Sequence, residues 1–114
     1  MRELRTPRHN LFDALKILEQ SPISLSANAL ERARKIAHLI DEERSPVPFL
    51  FPTEIGGVQC EWKGTGRELN LEILPDTEHL AYLTILEGQP ATEGEIAEDY
   101  ERNVIALLKW MRSR

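Results

Sequence analysis

The stretch from Val47 to Tyr82 restricts this chain more than any other, because it reads as a β-meander. It runs V-P-F-L-F-P-T-E-I-G-G-V-Q-C-E-W-K-G-T-G-R-E-L-N-L-E-I-L-P-D-T-E-H-L-A-Y. Short runs of β-branched, aromatic and alternating residues are cut by Gly56-Gly57, Gly64-Thr65-Gly66 and Pro75-Asp76. Alternation at period two places successive side chains on opposite faces of a sheet, and glycine and proline clusters supply the turns. Four strands are predicted: Val47 to Thr53, Gly57 to Lys63, Arg67 to Leu74 and His79 to Leu86. Loops this short join antiparallel neighbours. Pro48 and Pro52 cannot donate to a ladder, which assigns the first strand to an edge.

Helical periodicity flanks the meander. Asn10 can cap a helix from Leu11 to Gln20, with Leu11, Leu15 and Leu18 on one face, and Ser21-Pro22 interrupts it. Ser24 or Ser26 then caps a second helix running to about Glu43. Its inward stripe is Leu30, Ala33, Ile36, Ala37 and Ile40, and its outer face carries Glu31, Arg34, Lys35, His38 and Asp41. Ser45-Pro46-Val47-Pro48 ends it. Thr92-Glu93-Gly94-Glu95 has the form of a capping box, a threonine with a glutamate three residues later. It predicts a last helix to about Met111, turning Ile96, Tyr100, Val104, Leu107, Leu108 and Met111 inward. Acids in its first turns and cations in its last suit the helix dipole. Residues 1–9 read as a flexible arm and residues 10–114 as a single α+β domain. The expected fold is two N-terminal helices, a four-stranded antiparallel β-meander and a C-terminal helix packed on the sheet.

Hairpin geometry sharpens the expectation. With Lys63-Gly64-Thr65-Gly66 as the loop, Trp62 faces Arg67, Cys60 faces Leu69 and Val58 faces Leu71. With Pro75-Asp76-Thr77-Glu78 as the next, Leu71 faces Tyr82 and Ile73 faces Leu80. One face then carries Val58, Cys60, Trp62, Leu69, Leu71, Ile73, Leu80 and Tyr82, and the helices must cover it. The other carries Gln59, Glu61, Glu68, Asn70 and Glu72, with Ala81, Leu83 and Ile85 along the fourth strand. An apolar strip beside carboxylates calls for a cover, either the first helix or another chain.

Composition excludes several classes of function. A chain of 114 residues with net charge −5 lacks the basic face that phosphate recognition needs, so no nucleic-acid partner is expected. The small basic clusters at Arg2, Arg5 and Arg8 and at Lys109, Arg112 and Arg114 read as solvated ends. Cys60 is the one cysteine, so no disulfide framework exists, which fits a reducing, cytoplasmic setting. No apolar run approaches the ~20 residues of a membrane-spanning helix.

Candidate chemistry is sparse. Cys60, between Val58 and Trp62, lacks the exposure and the cationic neighbour that a reactive thiol requires. His9, His38 and His79 fall on an arm, a helix surface and a turn, without metal-ligand spacing. Glu61, Glu68 and Glu72 form the main polar cluster. With Glu61 opposite Glu68, repulsion can be relieved by splaying into water, by a basic partner, by a metal, or by a raised pKa useful in acid catalysis. Gly56-Gly57 opens a strand and not a helix, and lacks the lysine of a phosphate loop. Trp62 and Arg67 are placed to stack as a cation–π pair. No catalytic residue, metal site or cofactor is assigned.

The stretch P-T-E-I-G-G-V-Q-C-E-W, Pro52 to Trp62, resembles a P-T-x-x-G-G-V-x-x-E-W strand motif of small uncharacterised bacterial proteins. The likeness runs from about Ser21 to Leu86, with an L-x-L-x-I strand and a tyrosine-bearing strand following. It implies a bacterial, cytoplasmic α+β domain and no particular activity. The expected function is a non-enzymatic interaction module, a homodimer or a binder of another protein, acting through Glu68, Glu72, Ala81, Leu83 and Ile85. The alternative is a small carboxylate-based, metal-dependent or hydrolase-like enzyme built on Glu61, Glu68 and Glu72.

Overall fold

The structure, a computed structural model, describes residues 15, 16, 20 and 25–113. Helix α1 (Ala27–Glu42) is followed by strands β1 (Phe49–Pro52), β2 (Val58–Lys63), β3 (Arg67–Ile73), β4 (Leu80–Leu86) and β5 (Thr92–Ile96), and by helix α2 (Tyr100–Arg112). The sheet order is β1-β2-β3-β4-β5, with every pair antiparallel. The α+β class, the antiparallel meander, the edge position of β1 and the C-terminal helix agree with the sequence pattern. The strand count does not, being five instead of four. The arm at residues 1–9 lies outside the described residues. So does most of the helix expected from Leu11 to Gln20, although Leu15 and Lys16 are helical and Leu15 is buried in the core.

The fifth strand occupies the segment expected to cap the last helix. T-E-G-E satisfies a capping box, but T-E-G-E-I also alternates, and long-range packing decides between the two. Ile96 pairs with Leu80 and is buried, and Gly94 pairs with Tyr82. A Cβ on Gly94 would collide with the Tyr82 ring, so the ring lies across a strand position with no side chain and covers its backbone. Helix α2 therefore begins later, behind Asp99, whose backbone is left-handed (φ 47°, ψ 47°) and whose side chain caps nothing. The Asn103 amide instead donates to the carbonyl oxygens of Glu98 (2.9 Å) and Asp99 (3.1 Å). Val104 and Leu108 of α2 are buried as expected; Leu107 and Tyr82 are only half-buried.

The β3–β4 register is the expected one, Leu71 facing Tyr82 and Ile73 facing Leu80. The β2–β3 register is displaced by two: Trp62 faces Leu69, Cys60 faces Leu71 and Val58 faces Ile73. The loop is tighter than the four residues assumed. Gly64 N–H donates to the Arg67 carbonyl at 2.8 Å, leaving Thr65 and Gly66 between them, and Gly66 takes a positive φ of 79°, which glycine adopts without steric cost. A shift of two keeps every side chain on its expected face. At the β1–β2 turn, Gly56 has φ 94°, and a Cβ on Gly57 would strike the Ile73 carbonyl oxygen. The first glycine is needed for conformation, the second for space.

Val58, Cys60, Trp62, Leu69, Leu71, Ile73 and Leu80 form the buried inner face, packed against Ala33, Ile36 and Ile40 of α1 and Val104 and Leu108 of α2. The stripe of α1 is rotated from the expected one: Leu30 is half-buried and Arg32 is buried. The Arg32 guanidinium donates to the carbonyl oxygens of Leu74 (3.0 Å), Thr77 and His79 (2.9 Å) in the β3–β4 loop. Ser26 caps α1 by accepting from Ala29 N–H (3.0 Å) and donates its hydroxyl proton to the Pro75 carbonyl (3.2 Å). At the other end of the sheet, Trp62 donates to the Pro46 carbonyl (2.8 Å), and Arg112 to the Glu43 carbonyl (2.6 Å) and Ser45 hydroxyl (3.0 Å). Arg67 does not stack on Trp62. It donates to the Trp110 carbonyl (2.6 Å) and lies 4.8 Å from the Trp110 ring centre, because Trp62 points into the core.

Replacing Arg32 by Met should destabilise the protein by roughly 2–3 kcal/mol, since loop carbonyls lose a charged donor. Arg32→Lys should recover only part of this, because an ammonium lacks the planar fork. Urea denaturation is the measurement, and a methionine variant as stable as the wild type would contradict the assignment. Burial also pushes the Cys60 thiol up to about 12. Burial raises the Tyr100 hydroxyl to about 12 as well, against the lowering effect of Arg32 and with smaller raising contributions from Cys60 and Glu101. Both groups favour the protonated form when folded. Their contribution is complete below the unfolded pKa values and is lost as pH rises toward 12. Above about pH 9, Cys60 alone should lower stability by about 1.4 kcal/mol per pH unit. Cys60→Ala should flatten that part of the alkaline limb, and native Cys60 should label far more slowly than in unfolded chain. Rapid native labelling would show Cys60 to be accessible.

Candidate interaction surface on the outer sheet face

Strand register fixes the membership of the outer face. One cross-strand row runs Phe49, Glu61, Asn70, Leu83, Glu93, and the next runs Phe51, Gln59, Glu72, Ala81, Glu95. A third carries Lys63, Glu68 and Ile85. The five residues assigned from sequence, Glu68, Glu72, Ala81, Leu83 and Ile85, thus lie on one face of two neighbouring strands, and all are half-buried. Ala81 pairs with Glu72, Leu83 with Asn70 and Ile85 with Glu68.

The expected clash of Glu61 with Glu68 does not occur. The displaced register sets Glu61 against Asn70, Glu68 against Lys63 and Glu72 against Gln59. The Gln59 amide donates to the Glu61 carboxylate at 3.0 Å. The three carboxylates are interleaved with neutral or cationic partners, so no cation is required to hold them apart. Among the described residues, no group of three or more His, Cys, Asp or Glu side chains is placed to hold a metal ion. His79 lies at the mouth of β4, with Nδ1 3.3 Å from Glu95 Oε1, and His38 is exposed on α1.

Two parts of the face escaped the sequence pattern. Phe49 and Phe51 are 63% and 45% exposed, unusual for phenylalanine in a strand, and their pairing with Glu61 and Gln59 puts them on the outer side. F-L-F has no alternation, so only the register shows that Leu50 turns inward opposite Cys60. Glu93 and Glu95 were assigned to a helix start and instead extend the face across β5.

The completed face has an acidic centre and far edge, with an aromatic band along β1 and an aliphatic band along β4. Glu61, Glu68, Glu72, Glu93 and Glu95 share it with one lysine, Lys63. A shallow depression of about 510 Å³ lies over Asn70, Glu72, Ala81, Leu83, Glu93 and Glu95. Among the described residues, the helices pack on the inner face, and Leu15 joins the same core cluster. No described helix is long and apolar enough to cross a membrane.

No protein-family model matches the chain, and neither a curated protein nor a solved structure is found to be similar to it.

Proposed function

We propose that this protein is a non-enzymatic interaction module that binds a basic, partly apolar surface of a partner protein through its outer sheet face. The observation that carries the reading is the co-location of five glutamates with Phe49, Phe51, Leu83 and Ile85 on one face. Apolar bands supply contact area and the carboxylates supply orientation and charge selection, the division of labour found at protein interfaces. A cytoplasmic setting fits the single buried thiol of Cys60, and a bacterial origin is what the resemblance of Pro52 to Trp62 implies.

Charge favours a different partner over a second copy. A two-fold pairing would set this face, with five glutamates to one lysine, against an identical acidic face, and the whole chain already carries −5. The alternative of carboxylate catalysis gains no support from a register that separates Glu61 from Glu68.

Capture from bacterial lysate on immobilised protein tests the proposal when run against two charge-reversal controls. Proteins retained by the wild type should be lost with Glu68→Lys/Glu72→Lys and with Leu83→Glu, and kept with Glu31→Lys/Asp41→Lys on α1. Binding of an identified partner should weaken about tenfold or more with the face variants, equivalent to ~1.4 kcal/mol or more, and should fall with added salt. Wild-type protein alone should sediment as a monomer at tens of micromolar. Identical retained sets for all variants, or a wild-type dimer dissociated by Leu83→Glu, would overturn the basic-partner reading.

A further inference from the structure

A second surface lies around the corner from the outer face. β5 is an edge strand, with β4 its only strand partner among the described residues. Such an edge presents a row of backbone N–H and C=O groups to solvent. On its inner side, a groove of about 700 Å³ separates β5 from α2, with Tyr82, Thr84, Thr92, Ile96, Leu107 and Trp110 among its walls.

The groove follows from the packing. α2 packs on β3 and α1, so β5 lies beyond its cover. On the inner side of β5 Thr92 is small, and Gly94, with no side chain, lets the Tyr82 ring lie over the strand as one wall of the groove. Leu107, Trp110 and Tyr82 are left half-buried, with apolar surface turned to the opening. Among the described residues, Glu95, Glu98 and Asp99 line the groove and no lysine or arginine does.

We propose that β5 and α2 form a docking groove for an extended basic peptide that pairs with the free edge of β5 as a sixth strand. Backbone pairing would supply the attachment. Alternate peptide side chains would fall toward the apolar walls formed by Leu107 and Trp110, and the intervening ones toward Glu93 and Glu95. The pattern that fits is apolar and basic residues in alternation. A second copy of β5 does not fit: antiparallel pairing about Gly94 would set Glu93 opposite Glu95 of the copy in both directions, like charge against like. The same acids that discourage self-pairing attract a cationic strand.

The test uses the full chain and a fluorescent, end-blocked probe of alternating lysine and valine, about seven residues long so as to span the strand. Anisotropy titration should give saturable binding. N-methylating one set of alternate probe amides should weaken it about tenfold or more, while methylating the other set changes it less than about twofold, since only one set faces the strand. A probe of the same composition with its lysines and valines in separate blocks should bind much less well. Ala106→Trp, at an exposed position beside the groove, and Glu93→Lys/Glu95→Lys should each weaken the probe. Glu68→Lys/Glu72→Lys, on the outer face, should leave it within about twofold, which separates this site from the outer-face reading. Thermal melts confirm that each variant folds. Equal effects of the two methylation sets, equal binding of the block probe, or equal loss with the Glu68 and Glu72 reversals would overturn the groove. So would absence of binding to wild-type protein, which would leave the acids as a device against edge-to-edge association.

Discussion

The contact between the buried Arg32 guanidinium and the β3–β4 loop organises the rest of the molecule. A cation sheltered from water is costly unless its donors are met, and here carbonyl oxygens of Leu74, Thr77 and His79 meet them. The loop gains too, because a turn of this length has carbonyls that no ladder can pair. Ser26 adds the Pro75 carbonyl to the same connection. Together these bonds seat the start of α1 over one end of the sheet. The opposite end is held by Trp62 on Pro46, Arg67 on Trp110 and Arg112 on Glu43 and Ser45. With α1 seated this way and α2 beside it, the described helical cover goes to one side of the sheet.

That asymmetry connects fold to function. An antiparallel sheet can keep one face wet, and its outward residues are then free to be chosen for contact instead of packing. Here they run in bands, aromatic on β1, acidic on β2 and β3, aliphatic on β4 and acidic again on β5, an arrangement that adds nothing to the core. The late start of α2 has a parallel effect at the sheet edge. Because Thr92 to Ile96 forms a strand, β5 extends past the reach of α2 and leaves Leu107 and Trp110 beside an open edge. The outer face and the groove thus share Glu93 and Glu95 but present different chemistry, side chains on one and backbone on the other.

Much of this was legible in the amino-acid sequence, and the rest failed for identifiable reasons. Period-two alternation from Val58 to Leu86 gave the strands, their faces and the buried row, because burial of one face leaves a direct imprint on sequence. The β3–β4 register was recoverable from its Pro-Asp loop. The β2–β3 register differs by two from the expected one because alternation is blind to even shifts, and the hydrogen bond from Gly64 N–H to the Arg67 carbonyl is what fixes the loop at two residues. That error set Glu61 against Glu68 and made a carboxylate site look more plausible than the true pairing allows. β5 is hidden in the sequence because T-E-G-E fits a helix cap locally, while the deciding contact is Tyr82 across Gly94, which is not local. The role of Arg32 is not legible because an arginine at an inward helical position carries no signal until its loop partners are known. Phe49 and Phe51 lay hidden in a run without alternation.

Binding through the outer face requires that solvent reach it. Hydroxyl-radical footprinting of the full chain, over a range of protein concentrations, measures it directly at side chains. An open face gives rapid oxidation of Phe49 and Phe51 and measurable oxidation of Leu83 and Ile85 at every concentration, with Trp62, Leu69 and Leu71 protected until the protein unfolds. Protection of Phe49, Phe51, Leu83 and Ile85 at low concentration would mean that the chain covers this face itself. Protection that grows with concentration would mean that a second copy does, and either result would contradict an open face awaiting a basic partner.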